Sequence, residues 1–178
     1  MKDNYIKSDR VEYYSIISKN YIMDWLLKPE QYYIARYIKF LRKEEYYKSI
    51  KPNKLLRFWY FRKKNILGAK LGFFIPAGCF DLGLMISHYG SVIVNPNSRI
   101  GRNCVIHGNC CIGNKGGENQ DSPIIGENVD IGQNAQILGG ITIANGVKIG
   151  AGAIVTKSVT EEGVTVVGIP AKIVNKNS

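Results

Sequence analysis

Several features that define common classes of protein are missing from this sequence. No apolar run is long enough to cross a bilayer, and the Lys-, Asp- and Tyr-rich N-terminus lacks the apolar segment of a signal peptide. We therefore expect a cytoplasmic protein. The glycine-rich stretch 114–123 lacks the Lys-Ser/Thr pair of a phosphate-binding loop, which argues against a kinase.

Cysteine is scarce, and the spacing of the four cysteines matches no zinc-binding pattern. No secretory context requires disulfides. We therefore expect no metal ion and interpret the cysteines as small buried residues. They are Cys79, Cys104, Cys110 and Cys111.

Acidic residues are few in the first part of the chain. Residues 1–72 carry 17 Lys and Arg against 7 Asp and Glu, whereas residues 73–178 carry seven of each. Ten of the eleven tyrosines also lie before residue 73. The sequence thus predicts two domains, a basic, Tyr-rich domain over 1–72 and a neutral domain over 73–178.

The apolar spacing of the basic domain is typical of helices. It predicts one helix over 11–25, a second that starts at Pro29 and a third through Leu55–Phe61, with Gly68 and Gly72 breaking the pattern. Three interpretations of its charge stay open: nucleic-acid binding, attraction of a membrane surface or polyanionic acceptor, and a helical cap with solvated Lys and Arg. We favour the cap and expect no nucleic-acid partner.

The neutral domain contains a six-residue repeat. Its aliphatic positions are Val94, Ile100, Ile106 and Ile112, then Ile125, Ile131, Ile137, Ile143, Ile149 and Val155. Glycine often follows the aliphatic residue, and a small or aliphatic residue lies four positions after it. Period six fits neither a helix nor a simple strand.

Such a repeat is typical of short strands joined by sharp turns. Each hexapeptide forms one flat face with its aliphatic residue pointing inward, and three faces close a triangular coil. Successive coils pair as parallel strands about 4.8 Å apart. We attribute the glycines to backbone angles that are closed to other residues.

The pattern resembles the left-handed parallel β-helix of hexapeptide-repeat acyltransferases over roughly residues 71–175. The tail Val166–Ile173, with sequence VVGIPAKI, resembles that family's exit from the helix. The predicted fold class is mainly β: a left-handed parallel β-helix of about four coils with a small α-helical N-terminal domain.

The repeat breaks at two places, where function tends to lie. Ile86 and Val94 are eight residues apart instead of six, so the coil must bulge at His88. Between Ile112 and Ile125 seven extra residues form a polar loop, 113–124. Counting eighteen residues per coil, we predict that His88, His107 and the loop converge on one edge.

The resemblance implies an acetyl-CoA-dependent enzyme in which His88 is the catalytic base. A neutral imidazole can remove the proton of a hydroxyl acceptor as it attacks the thioester. The family binds its coenzyme in a groove between subunits of a trimer. Carried onto this chain, the coenzyme residues are Gly132, Asn134, Ala135, Gly150, Ala151, Gly152, Lys157 and Lys172. For the two lysines the alternative interpretation is ordinary solvated charge. The candidate substrate-loop residues are Lys115, Gly116, Gly117 and Asp121.

Within the family the chain is most similar to serine O-acetyltransferases and their relatives in surface-polysaccharide gene clusters. This chain differs from the serine enzymes at three positions. Phe73 and Ser87 stand where those enzymes have an aspartate, and Ser122 stands where they have a histidine. With Phe73 at the place of the orienting aspartate, the candidates to orient His88 are Asp81, Asn95 or a backbone carbonyl. His107 is a candidate accessory residue near the site.

We expect an O-acetyltransferase acting on a sugar hydroxyl in surface-polysaccharide biosynthesis. The alternatives are serine O-acetylation for cysteine synthesis and a non-catalytic scaffold that binds anionic surfaces. We expect a homotrimer, with pairing of trimers left open. Because the terminal isoleucine that docks into cysteine synthase is missing, we expect no such complex.

Overall fold

The computed structural model describes residues 26–116 and 121–174. The predicted first helix, over 11–25, and Gly117 lie outside these ranges.

In the described residues, two helices precede the β-structure. Helix α1 spans Glu30–Glu45 and continues into a π-helical turn, Tyr46–Ile50; helix α2 spans Lys54–Leu71. The Asn53 side chain caps α2 by accepting from the Leu56 N–H at 3.0 Å, and Gly72 ends it at φ 81°.

Gly68 does not break the helical pattern as predicted; it lies inside α2. A Cβ there would lie 2.5 Å from the carbonyl oxygen of Phe73 and 3.0 Å from the Tyr37 ring. The glycine permits close packing of α2 instead of ending the helix.

Fourteen short strands follow in the described residues and form three faces. Face A contains β1 (Phe73–Phe74), β3 (Val92–Val94), β6 (Cys111–Gly113), β9 (Gln136–Leu138) and β12 (Ile154–Val155). Face B contains β4 (Arg99–Ile100), β7 (Ile124–Ile125) and β10 (Thr142–Ile143). Face C contains β2 (Met85–Ile86), β5 (Val105–Ile106), β8 (Asp130–Ile131), β11 (Lys148–Ile149), β13 (Thr165–Gly168) and β14 (Ala171–Val174).

The chain visits the faces in the order C, A, B, and neighbouring strands within each face are parallel except for the final β13–β14 hairpin. This is a parallel β-helix with a triangular cross-section. Every aliphatic repeat position from Val94 to Val155 points inward and is no more than 3% exposed. The inward residues form one continuous apolar core, which helix α1 extends through Ile34, Tyr37 and Leu41.

The glycines that follow the aliphatic positions are required for a reason other than the predicted backbone angles. Gly101 and Gly132 have no positive φ, but a Cβ at either would lie under 3 Å from the backbone of the next coil. The left-handed turn conformation is adopted by asparagines instead: Asn103, Asn109, Asn128 and Asn134 have φ between 56° and 62°. Close stacking of coils, therefore, selects glycine after the aliphatic position.

Helix α1 is fixed across the open end of the β-helix by buried charges. Arg42, only 1% exposed, donates to Glu45 at 2.8 Å and to the carbonyl oxygen of Phe80 at 2.8 Å. Lys64 of α2 pairs with Glu44 at 2.8 Å and donates to the carbonyl oxygen of Ile75. Because removing one partner would strand a buried charge, these contacts hold the helices in one orientation on the first coil.

Candidate functional site

Three edges run along the β-helix where its faces meet, and we name them by those faces. The C–A edge contains the turns that follow β2, β5, β8 and β11; the A–B edge contains those that follow β3, β6, β9 and β12. The B–C edge contains the turns after β4, β7 and β10. Each candidate residue can be placed by its edge.

His88 lies on the C–A edge, in the turn between β2 and β3. Strand pairing matches Ile86 with Ile106 and Val94 with Ile112, so this coil holds two extra residues, which is the predicted bulge. The Ser91 N–H donates to the Asn109 side chain at 2.9 Å and ties the bulge to the next coil. The bulge leaves the His88 side chain 58% exposed.

A carboxylate from the helical part meets this histidine. Glu30 Oε2 lies 3.3 Å from His88 Nδ1, and Glu30 Oε1 accepts from the Tyr89 N–H. Glu30 is the first residue of α1, where the helix dipole favours a negative charge. The two oxygens of one carboxylate thus hold both the imidazole and the backbone of the bulge.

The Glu30 contact determines which nitrogen of His88 carries the proton. An ionised carboxylate only accepts hydrogen bonds, so Nδ1 must donate and Nε2 keeps its lone pair. The same carboxylate stabilises the imidazolium that forms when Nε2 takes a proton. The neighbouring Tyr89 hydroxyl has its pKa raised by burial and by the Glu30 charge.

The other residues proposed to orient His88 have different partners. The Asp81 side chain accepts from the Leu82 N–H and lies 3.5 Å from Arg102, while the Asn95 side chain accepts from the Asn97 N–H. Among the described residues, Glu30 is the group that lies within hydrogen-bonding distance of the His88 ring. Sequence reasoning missed Glu30 because 58 residues separate the pair and no repeat or motif relates them.

His107 lies one coil from His88 on the same edge. Its Nε2 is 3.2 Å from Asp130 Oδ1, and its side chain is 33% exposed. Strand pairing places His88 beside Gly108, as the residue count predicted. His107 is therefore adjacent to the bulge, with its own carboxylate partner.

The candidate coenzyme turns continue the C–A edge beyond the two histidines. The Asn134 N–H donates to the Gly108 carbonyl at 3.0 Å, and the Gly152 N–H donates to the Gln133 carbonyl at 2.8 Å. Turns 132–135 and 150–153 thus stack below His88 in successive coils, about 4.8 Å apart. Lys172, on β14, pairs with Val167 beside the same row.

The loop does not converge on this edge, and that prediction is wrong. It connects β6 on face A to β7 on face B, so it leaves from the A–B edge. The predicted count assumed eighteen residues for this coil, but Val105 pairs with Asp130, twenty-five residues later, because the coil contains the loop. Gln133, not the loop's return point, stacks below Gly108.

The remaining candidate residues that the structure describes lie on the A–B edge. Lys115 Nζ donates to the Thr156 carbonyl at 3.2 Å, and the Asp121 side chain packs over Gly140. Gly116 follows Lys115 at φ 80°, and Lys157 lies in the turn after β12. A cleft of about 520 Å³ lies at the root of the loop, between Asp121, Ser122 and Arg99.

Three of the cysteines occupy packing positions, whereas Cys111, also predicted to be buried, is partly exposed on β6. Cys79, Cys104 and Cys110 are buried, and burial raises the pKa of each thiol to about 11. A thiol with so high a pKa is a poor nucleophile at neutral pH. Within the part of the chain that the structure describes, no cluster of His, Cys, Asp and Glu could hold a metal ion.

One family of known proteins is similar to the repeat segment. Residues 122–157 match the family model described as bacterial transferase hexapeptide, six repeats. The repeat segment is thus similar to that of the hexapeptide-repeat transferases.

The relatives are serine acetyltransferases. The chain is 40% identical over 104 residues to that of Buchnera aphidicola subsp. Schizaphis graminum, which covers 57% of this chain and 39% of the relative. The crystal structure of Neisseria gonorrhoeae serine acetyltransferase superposes with a TM-score of 0.75 at 27% identity, covering 96% of this chain and 65% of the other. The structure of a serine acetyltransferase in complex with CoA superposes with a TM-score of 0.66 at 25% identity. This match covers 80% of this chain and 57% of the other.

These structures confirm the predicted left-handed parallel β-helix with its small helical N-terminal part. The chain spans about two fifths of the length of the curated relatives that it matches.

Proposed function

We propose that this chain is an acetyl-CoA-dependent O-acetyltransferase whose base is His88, oriented by Glu30. The observation that supports this most directly is the Glu30–His88 pair at the head of the edge that carries the stacked glycine-rich turns. Similarity to serine acetyltransferases supports the acetyl-transfer class.

In the proposed reaction, His88 first accepts a proton and later returns it. His88 Nε2 takes the proton from the acceptor hydroxyl as its oxygen attacks the thioester carbonyl carbon. The tetrahedral intermediate collapses with cleavage of the carbon–sulfur bond. The departing thiolate takes the proton back from the imidazolium, which gives the acetyl ester and free CoA. Glu30 stabilises the imidazolium between these two steps.

The coenzyme is proposed to lie along the C–A edge, with its thioester at His88. Turns 132–135 and 150–153 contain small residues, among them Gly132, Gly150 and Ala151, which would let an extended ligand approach the backbone. Ala135, also predicted to meet the coenzyme, points into the core instead. Lys172 would meet a phosphate group at the far end of the row. The CoA complex of a related fold supports the choice of coenzyme.

L-serine is the acceptor that the relatives support best, so they favour serine over the expected sugar. One observation keeps a sugar hydroxyl as second candidate. Phe73, at the place of the family's aspartate, is buried and packs edge-on against Tyr37 with ring centroids 5.2 Å apart. The carboxylate at His88 comes from Glu30 instead, so the site differs from that of the serine enzymes.

A trimer would complete the site. His88 and the A–B edge residues Lys115, Asp121 and Lys157 lie on different edges of one chain. Packing the C–A edge of one protomer beside the A–B edge of the next would bring them together. Exposed apolar side chains on faces A and B, Ile93 and Ile124, are available for burial between protomers.

Thiol release from acetyl-CoA tests the function and the acceptor together. Purified protein is assayed with L-serine and with a panel of free sugars and surface glycans, and the product is weighed by mass spectrometry for one added acetyl group. Turnover on L-serine supports the first candidate, and turnover on a sugar alone supports the second. Absence of acetyl transfer to any hydroxyl would contradict the proposal.

A further inference from the structure

Helix α2 is apolar on both of its sides. Its inner side packs on the β-helix through Gly68 and Leu71. Its outer side carries Leu55, which is 83% exposed, with Trp59 and Ile66 also exposed. The spacing of four, three and four residues from Leu55 through Trp59 and Arg62 to Ile66 places these side chains on one helical face. We call these four residues, with Phe58, the α2 outer face.

The surroundings of the α2 outer face are strongly basic. Helix α2 contains no Asp or Glu, and five of its six cations are at least partly exposed. These five are Lys54, Arg57, Arg62, Lys63 and Lys70. Lys63 Nζ lies 3.6 Å above the Trp59 ring, so cation and aromatic groups are interleaved.

Among the described residues of the helical part, acidic groups are few. Residues 26–72 carry 13 Lys and Arg against three glutamates. Glu30 contacts His88, Glu44 pairs with Lys64 and Glu45 pairs with Arg42. Glu44 and Glu45 are buried, and Glu30 is 26% exposed beside His88, so the exposed charge of residues 26–72 is mainly positive.

We propose that the α2 outer face docks the protein onto the surface of an anionic phospholipid bilayer. A helix with exposed Leu, Phe and Trp flanked by Lys and Arg lies in the plane of the lipid headgroups, with its apolar side chains in the acyl boundary. In the described residues no helix is long and apolar enough to cross a membrane, so the mode is interfacial. A second copy of α2 is a poorer occupant, because pairing two such faces would bring Arg62, Lys63 and Lys70 of one copy against the same cations of the other.

Vesicle sedimentation tests this without reference to enzymatic activity. Full-length protein is mixed with vesicles of pure phosphatidylcholine or with 30% phosphatidylglycerol added, at two salt concentrations. Binding is expected only to the anionic vesicles, and it should weaken as salt rises. In a Trp25→Phe background, the Trp59 emission should shift to shorter wavelength on binding.

Two matched pairs of substitutions locate the surface. Arg62→Glu with Lys70→Glu should lower the partition coefficient at least about tenfold, since each cation at an anionic surface contributes roughly fivefold. Arg102→Glu with Lys148→Glu makes the same change in net charge on the β-helix and should have little effect. Likewise, Leu55→Ser with Phe58→Ser should abolish binding, whereas Ile169→Ser with Val174→Ser, on the β13–β14 hairpin, should not.

Several results would overturn the proposal. No sedimentation with anionic vesicles would do so, as would equal binding to neutral ones. An equal loss of vesicle binding in the two charge-reversal pairs would mean that the net charge of the protein, and not the α2 outer face, drives binding. Self-association without lipid that Leu55→Ser abolishes would make a second copy the occupant. None of these outcomes bears on acetyl transfer, so the two proposals fail separately.

Discussion

Glu30 Oε2 lies 3.3 Å from Nδ1 of His88, and this contact joins the helical part of the chain to the bulge in the first coil. A carboxylate at Nδ1 leaves Nε2 free to accept a proton. The candidate base therefore depends on two regions with different folds. Helix α1 positions Glu30 because its other end is fixed by Arg42, which donates to the Phe80 carbonyl.

Replacing Glu30 should affect turnover more than binding. Glu30→Gln keeps a side chain of the same shape but removes the charge that stabilises the imidazolium. We expect kcat to fall about tenfold or more, with the KM for acetyl-CoA nearly unchanged. Glu30→Asp should retain more activity than Glu30→Ala.

A long-range ¹H–¹⁵N correlation of the His88 ring separates positioning from a purely structural role. The Nδ1–H tautomer is expected in the unmodified protein and a shift towards Nε2–H in Glu30→Ala. An unchanged tautomer together with full activity in Glu30→Ala would contradict the role of Glu30.

A bulky side chain on the C–A edge should impair coenzyme binding. Ala151 is exposed in the second position of its turn, and Ala151→Trp would fill the proposed path of the coenzyme. We expect the KM for acetyl-CoA to rise about tenfold or more, with the fold intact by circular dichroism. Glu127→Trp is the matched control, because Glu127 holds the same turn position on the B–C edge. Equal effects of the two would argue against this groove.

Mixed trimers should show whether two protomers share the site. A His88→Ala chain and a Lys115→Glu, Lys157→Glu chain should each be weakly active alone. After random mixing from denaturant, about a quarter of the interfaces would combine two unmodified edges, so about a quarter of the activity should return. If each chain holds a whole site, mixing restores nothing. Remixing each variant with itself is the control for refolding.

The two kinds of repeat glycine should differ in their tolerance of a methyl group. A Cβ at Gly101 would lie 2.7 Å from the Gly126 backbone, whereas at Gly113 the nearest atom is the Asn95 Cβ at 3.7 Å. Gly101→Ala should lower the free energy of unfolding by about 1–3 kcal/mol through overpacking. Gly113→Ala should be nearly neutral. Urea unfolding measures both, and equal losses would show that stacking distance does not select these glycines.

Much of the β-helix could be predicted because its repeat is local. One aliphatic residue every six positions fixes which side chains point inward, and all ten positions from Val94 to Val155 are buried. The bulge at His88 could also be found, since two extra residues in a fixed repeat are visible without a structure. The position of Gly108 beside His88 followed from the same count.

What could not be predicted depends on contacts distant in sequence or on the path of one long coil. The seven loop residues lengthen that coil to twenty-five, so counting by eighteen placed the loop on the wrong edge. Glu30 carries no repeat, motif or spacing that relates it to His88. Only the packing of α1 across the open end of the β-helix brings the two together.

The most direct test of the account compares His88→Ala with His107→Ala in kcat/KM for acetyl-CoA-dependent acetyl transfer. The two histidines lie one coil apart on the same edge, so each controls for general damage to that edge. General-base catalysis is worth about 10²–10⁴ in rate, and we predict a loss of that size for His88→Ala. His107→Ala should lose less than about tenfold. Activity that survives in His88→Ala would contradict the assignment of the base.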